Sequence, residues 1–260
     1  MVPSRMLERE RSQTILRLLD LRNFATIHDI VEATGASEAT IRRTFIEMEE
    51  EGLLRRVRGG VELLEGKESR VPVEPSLDSR VGVNREKKRR IAKRAASLIS
   101  PGDTIFIDGG STTFHMVEFI SALAITVVTN SFAIAEHLVR HSVCTVILPE
   151  GTVNPSSLLI LNNLSSDPFA NYHASMVFMG IEGITGKALT NSEPLLIQAE
   201  RAMIEHAQEL VILADGSKFG KIGSLTLCPV ERAQRIITTT DADPVLLNAL
   251  REKGVEILTV

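Results

Sequence analysis

Two groups of residues have types and spacings that could do chemistry. The first is the run Asp108-Gly109-Gly110-Ser111-Thr112-Thr113, which leaves a short β-rich segment (TIFID) and leads into a helical one. Hydroxyls and backbone N–H groups converging on a helix start hold anions, phosphate above all. Thr129-Asn130 ends the next β-rich segment in the same way, and Asp215-Gly216-Ser217-Lys218 ends a later one and adds a cation. Glu150-Gly151 and Glu182 follow two further segments of this kind. Taken singly, each turn is ordinary loop chemistry. Several at one edge of one sheet, with Lys218 among them, point to a phosphorylated ligand. The competing chemistry is aldose–ketose isomerisation, with Asp108 or Glu182 as base and Lys218 polarising a carbonyl.

The second group is Ser37, Thr40, Arg42 and Arg43, which fall in the first turns of a helix, followed by Arg55, Arg56 and Arg58 beside a Gly59-Gly60 turn. A helix fits the major groove of double-stranded DNA, and its first turns bring hydroxyls and guanidinium groups to base edges and phosphates. A basic hairpin directly behind that helix would act as a wing. The bland reading is a row of solvated arginines; three in one glycine hairpin favour DNA.

The elements that must position these groups follow from apolar spacing and capping. Thr26, with Asp29 three residues on, caps a helix whose Ile27, Ile30 and Val31 share a face. Gly35 ends it, and Ser37 caps a second helix in which Ile41, Phe45 and Met48 face a core. Gly52 closes that helix and Leu53-Leu54 begins a strand. Residues 7–21 form a supporting helix through Ile15, Leu16, Leu18 and Leu19, with Phe24 plugging the turn after it. The set is a helix-turn-helix with a wing, residues 1–62.

Residues 63–84, with Pro72, Pro75, Gly66 and Gly82, read as an extended connector. Residues 85–100 return to helix on Ile91, Ala95, Leu98 and Ile99, and the cations from Arg85 to Arg94, Lys88 among them, read as its solvated face, in preference to a second DNA contact. From Ser100 onward, strand, turn and helix alternate, with β-rich runs at 104–108, 124–130, 144–151, 174–183, 209–217, 234–240 and 255–260. Such alternation specifies an α/β domain, residues 85–260, with a mainly parallel sheet and its ligand at the carboxyl ends of the strands.

Composition narrows the partners. The 260 residues carry a net charge of −4, and the first sixty hold ten arginines against ten acidic residues. Affinity for DNA therefore rests on placed arginines and on several copies of the module, so a homo-oligomer, dimer or tetramer, is expected. Cys144 and Cys228 are the only cysteines, both in apolar runs. No signal peptide or membrane-length apolar run is seen, which implies a cytoplasmic protein without a membrane partner. No catalytic residue, metal or cofactor is assigned.

The residues SEATIRR, then EEEGLLRRVRGGV, resemble the signature of the DeoR family of bacterial transcription regulators, S-x-x-T-I/V-R-R-D-L followed by L-x-x-x-G and R-x-x-G-G. Thr44-Phe45 departs from the usual Asp-Leu and removes a carboxylate beside the paired arginines. Further along, Asp108 to Thr113, Thr129-Asn130, Phe178 to Gly183 and Asp215 to Gly220 are similar to the family's effector-domain motifs, as are EKKxxIAxxAAxLI and the PGD after it. The resemblance spans nearly the whole chain. It implies an effector domain of the ribose-5-phosphate isomerase-like type that senses a phosphorylated sugar or polyol. It also implies a repressor of a carbohydrate catabolic operon that the effector releases. Glu150-Gly151 replaces the family's Gly-Gly, and Glu200 stands where its pattern has Lys, which implies less anionic charge on the effector near that position. The isomerases carry a D-G-A-D-E cluster of which Met179-Gly180-Ile181-Glu182-Gly183 keeps little, so the resemblance favours a regulator over an enzyme.

Overall fold

The apolar residues that the sequence spaces for helices converge in a computed structural model, which describes residues 8–22, 24–57, 59–63, 77–155, 157–161 and 167–260. The chain divides into two compact units, residues 1–75 and 76–260.

In the first unit, α1 (Glu8–Arg22) precedes β1 (Phe24–Thr26), α2 (Ile27–Thr34), α3 (Glu38–Glu50), β2 (Leu54–Val57) and β3 (Gly60–Leu63). Thr26 and Asp29 form the reciprocal capping box, Gly35 adopts φ 64° after α2, and the Ser37 hydroxyl accepts from the Thr40 N–H. Beyond α3, Gly52 takes φ 70° and the Leu53 N–H reaches back to the Met48 carbonyl, the six-residue closure that ends a helix at a left-handed residue. Ile15, Leu16, Leu19, Ile30, Ile41, Phe45, Met48, Leu54 and Val61 share one core. Three strands pair antiparallel in the order β1-β3-β2 among the described residues. Gly60 is obligatory there, because a Cβ would sit 2.1 Å from the Ala25 carbonyl oxygen. Phe24 does not plug a turn: β1 pairs with β3, strand alternation turns Ala25 inward, and Phe24 is left 40% exposed.

The second unit opens with α4 (Leu77–Gly82) and α5 (Arg85–Ala96), so residues 77–82 of the expected connector are helical and belong to this unit. There follow β4 (Thr104–Ile107), α6 (Ser111–Phe114), α7 (Val117–Ile120), β5 (Thr126–Thr129), α8 (Phe132–His141) and β6 (Thr145–Ile147). The small strands β7 (Thr152–Val153) and β8 (Ile160–Leu161) form a hairpin. Then come β9 (Ala174–Gly180), β10 (Gly183–Ile184), β11 (Ala188–Asn191), α9 (Pro194–Glu205), β12 (Ala207–Leu213), β13 (Leu225–Pro229), β14 (Arg235–Thr238), α10 (Pro244–Glu252) and β15 (Glu256–Thr259). Among the described residues the main sheet has seven parallel strands in the order β15-β14-β12-β9-β4-β5-β6. Separate apolar cores cover its two faces, which is why its inner strands read as continuous runs such as VFM and LVIL instead of alternating.

The segment expected as one helix after Thr113 is two single turns, α6 and α7. At His115 and Met116 the backbone bonds shorten to the residue three back, and the helix breaks there. A second sheet, β10-β11-β13, is antiparallel and has no counterpart in the sequence reading.

Candidate DNA interface and effector site

On α3, the buried positions Ile41, Thr44, Phe45 and Met48 fix which residues face outward. Ser37 and Thr40 share a hydrogen bond between hydroxyls, 2.8 Å, at the exposed start of the helix. One turn on, Arg42 is held by Glu38 at 2.6 Å, whereas exposed Arg43 makes no hydrogen bond or ion pair among the described residues. Thr44 turns inward and accepts from the Arg11 guanidinium of α1 at 3.1 Å, so its loss of a carboxylate bears on Arg11 and not on the paired arginines.

The wing arginines are also partnered. Arg55 pairs with Glu62 across the hairpin, and Arg56 donates to Glu49 through its side chain (2.5 Å) and its backbone N–H (2.9 Å). Those bonds pull the Glu49 carboxyl below its ordinary range. Arg58 lies outside the described residues. Phosphate oxygens must compete with these carboxylates for Arg42, Arg55 and Arg56.

In the second unit the strand order reverses between β4 and β9, since the chain runs outward through β5 and β6 and returns to the other side of β4. Such a switch point opens a crevice at the carboxyl ends of the strands. Asp108 is buried there, with its N–H bonded to the Phe178 carbonyl. Asn130 clamps the turn: its Nδ2 donates to Asp108 Oδ1 (3.0 Å) and its Oδ1 accepts from the Gly109 N–H (2.9 Å). The Thr129 hydroxyl bonds the Ile107 carbonyl, and the Thr113 hydroxyl exchanges bonds with Gly110. Asn130, Thr129 and Thr113 thus hold the turn in shape. Ser111, with buried Thr112 behind it, faces the cations.

Those cations are the finding that sequence reasoning missed. Lys88 is buried, with Nζ donating to the Ser111 hydroxyl (2.9 Å) and to the Arg80 carbonyl. Burial pushes its ammonium down to about 8, with Lys218 and Arg80 adding to the fall and Asp215 opposing it. The Arg80 side chain encloses Nε and Nη2 with no hydrogen-bond partner among the described residues. Asp215 resists the effect of burial through bonds from Ser217, a 3.4 Å contact from Asn84, and the charge of Lys218, which together hold its carboxyl low. Asp108 is pushed by burial to about 6, although Asn130, the Gly109 N–H and Arg80 favour its charge. The sequence held a signal for Lys88: positions 88, 91, 92 and 95 are one apolar stripe, so this lysine never belonged to the solvated face.

The remaining sequence candidates, Glu150, Gly151 and Glu182, are solvent-exposed. The Glu182 carboxylate is exposed, and only its backbone N–H acts, on Asn191 Oδ1 at 2.8 Å. Glu150 and Gly151 are exposed on the loop entering β7. The β7–β8 hairpin itself comes over the site, with Ile160 bonded to the Asn130 carbonyl and Leu159 against Gly109. Among the described residues, no cluster of His, Cys and carboxylates could hold a metal, and no helix is long and apolar enough to cross a membrane.

Both units match known families. Residues 11–67 match the DeoR-like helix-turn-helix domain, and residues 83–240 match the DeoR C-terminal sensor domain. The HTH-type transcriptional regulators UlaR of Shigella dysenteriae and of Escherichia coli K12 are each 30% identical to the chain over 255 residues, covering 98% of it and all of the relative. Among solved structures, ribose 5-phosphate isomerase A of Methanocaldococcus jannaschii is similar at 17% identity and a TM-score of 0.37, over 52% of this chain and 55% of that one. The eIF2B delta subunit of Chaetomium thermophilum is similar at 16% and 0.38, over 86% and 74%. Helix-turn-helix unit, sensor unit and full-length relatives agree, and the chain belongs to the DeoR family of DNA-binding transcriptional regulators.

Proposed function

We propose that this regulator is a cytoplasmic repressor of a carbohydrate or polyol catabolic operon, released when a phosphorylated sugar or polyol occupies the strand-end site. One observation supports the reading: among the described residues the enclosed Nε and Nη2 of Arg80 have no hydrogen-bond partner, and the charge of Arg80 acts on buried Lys88. Buried cationic donors left unpaired are strongly unfavourable, and a phosphate dianion accepts from several at once. Arg80, Lys88, Ser111 and Lys218 form the phosphate end of the site, and α6, a single turn, adds little dipole. The isomerase alternative needs a carboxylate base over the substrate; of its two candidates, Asp108 is buried and taken up by Asn130, and Glu182 is exposed to solvent. A thermal-shift series of inorganic phosphate, free sugars and polyols, and their phosphates tests the assignment, since a ligand of the folded state raises the melting temperature with its saturation. Stabilisation by unphosphorylated compounds alone would refute it.

On DNA, Arg43 is the base-reading residue and Arg56 a phosphate contact, presented by a homo-oligomer to paired half-sites. Arg43→Ala is expected to lose ~1–3 kcal/mol of discrimination between operator and random sequence. Glu49→Gln frees Arg56 and is expected to tighten binding to every sequence, steepening the log–log salt dependence by about one. Filter-binding titrations at three salt concentrations measure both. Two variants indistinguishable from the parent would mean that α3 and the wing are misassigned.

A further inference from the structure

The outer face of α8 turns apolar side chains to solvent. Phe132, Val139 and, just past the helix end, Val143 are 41, 70 and 67% exposed. Single apolar residues at a surface are ordinary, whereas three along one short helix mark a contact surface. Beside them lie Glu136 and Arg140, an exposed ion pair at 3.1 Å. At the end of the helix an open groove of about 550 Å³ is lined by Ser121, Ala122, His141 and Val143 among others. The helix itself is firmly placed. Ile134, Ala135 and Leu138 bury its inner face, the Ser131 hydroxyl caps its start, and the Ser142 N–H and hydroxyl both bond the Leu138 carbonyl. It packs on β5 and β6, at the end of the main sheet where β6 is the last strand.

We propose that this face of α8 is a two-fold symmetric contact between the sensor units of two copies of the chain. This rests on the homo-oligomer proposed above for DNA binding, and it names the surface. A second copy is the occupant because the face complements itself. Across a two-fold axis, if residue i meets residue j, then j meets i. Two α8 helices running antiparallel about an axis near their middle set Glu136 of each copy against Arg140 of the other. Phe132 and His141 stand at opposite ends of the helix, ~14 Å apart at 1.5 Å per residue. The same docking therefore brings Phe132 of each copy to the groove beside Val143 of the other, with Val139 between. An aromatic side chain seated in a pocket, with weaker contacts around it, is how interfaces concentrate their affinity. The Glu136–Arg140 pair within one helix is exposed and holds weakly, so exchanging it for the pair between copies costs little.

The test is sedimentation velocity of the full chain over the micromolar range. The parent is expected to associate. Glu136→Arg and Arg140→Glu each set like charges across the contact and should raise the dissociation constant of one association step at least ~10-fold. In an equimolar mixture of the two variants, the mixed pair has opposite charges at both places, so association should return to near the parent's. A loss that came only from the broken pair within each helix is not repaired by mixing. Phe132→Ser leaves the charges alone and should weaken the same step ~30-fold. Melting curves of the sensor unit close to the parent's show that all three variants are folded. If the parent associates but the charge variants associate equally well, or their mixture stays as weak as its components, this inference alone is overturned. A parent that sediments as a monomer throughout, with and without operator, overturns the homo-oligomer and the inference with it.

Discussion

Lys88→Met should leave operator binding at the parent's level and raise the effector concentration that releases DNA by roughly tenfold to a hundredfold. Its Nζ is a charged donor inside the site, and removing such a partner usually costs ~1.5–3 kcal/mol. The same substitution has a signature in stability. Burial brings the folded-state value of Lys88 down to about 8 from an ordinary 10.5. Between those values the unfolded chain binds the extra proton, so stability rises with pH across the window. The parent should therefore gain stability between about pH 8 and pH 10.5 through this group. Lys88→Met should lack that increment while remaining at least as stable at neutral pH, because a buried ammonium is gone. Melting curves at pH 7.5 and pH 10, read beside an operator-release titration, check both. A variant that is released at the parent's effector concentration would remove Lys88 from the site.

Phe45→Ala should abolish DNA binding without touching effector binding. Phe45 is 2% exposed in the core of the first unit, and truncating a buried Phe typically costs ~3–5 kcal/mol. A unit this small has about that much stability in total. Two calorimetric transitions in the parent should become one, at the temperature of the sensor unit, and the phosphate titration should be unchanged. Retention of operator affinity in Phe45→Ala would show that α3 is not held by this core.

Local chemistry made much of this legible. The capping box at Thr26, the left-handed Gly35 and Gly52, and the Ser37 cap are decided by residues within one turn, so short motifs report them faithfully. The seven parallel strands follow from apolar runs alternating with helices. The Asp108–Asn130 clamp was visible as a pair of turns, though not as a bond. What stayed hidden depends on contacts distant in sequence. Arg80 sits in a stretch that reads as linker, and only the packing of α4 against α6 brings its charge to bear on Asp108. Thr44 reads as a neighbour of Arg43 along the chain, yet helical rotation turns it to Arg11, thirty-three residues earlier. Glu182, strong on paper as a strand-end carboxylate, is exposed, beside a Gly183 packed so tightly that a Cβ there would come 2.3 Å from the Lys221 carbonyl oxygen.

The reversal of strand order between β4 and β9 also has a kinetic consequence. Ile105 to Ile107 pair with Val127 to Thr129 some twenty residues on, but with Met176 to Phe178 some seventy residues on. Closing the longer loop is the slower search, and parallel pairings of high sequence separation lie late on folding routes. The first unit, built from neighbours in sequence, has no such seam. A refolding molecule should therefore recover its grip on DNA before its sensor exists, and for that interval the regulator holds DNA without hearing any effector. Pulse-labelled hydrogen exchange would catch the interval as α3 amides protected ahead of those of β4 and β9; simultaneous protection would deny it.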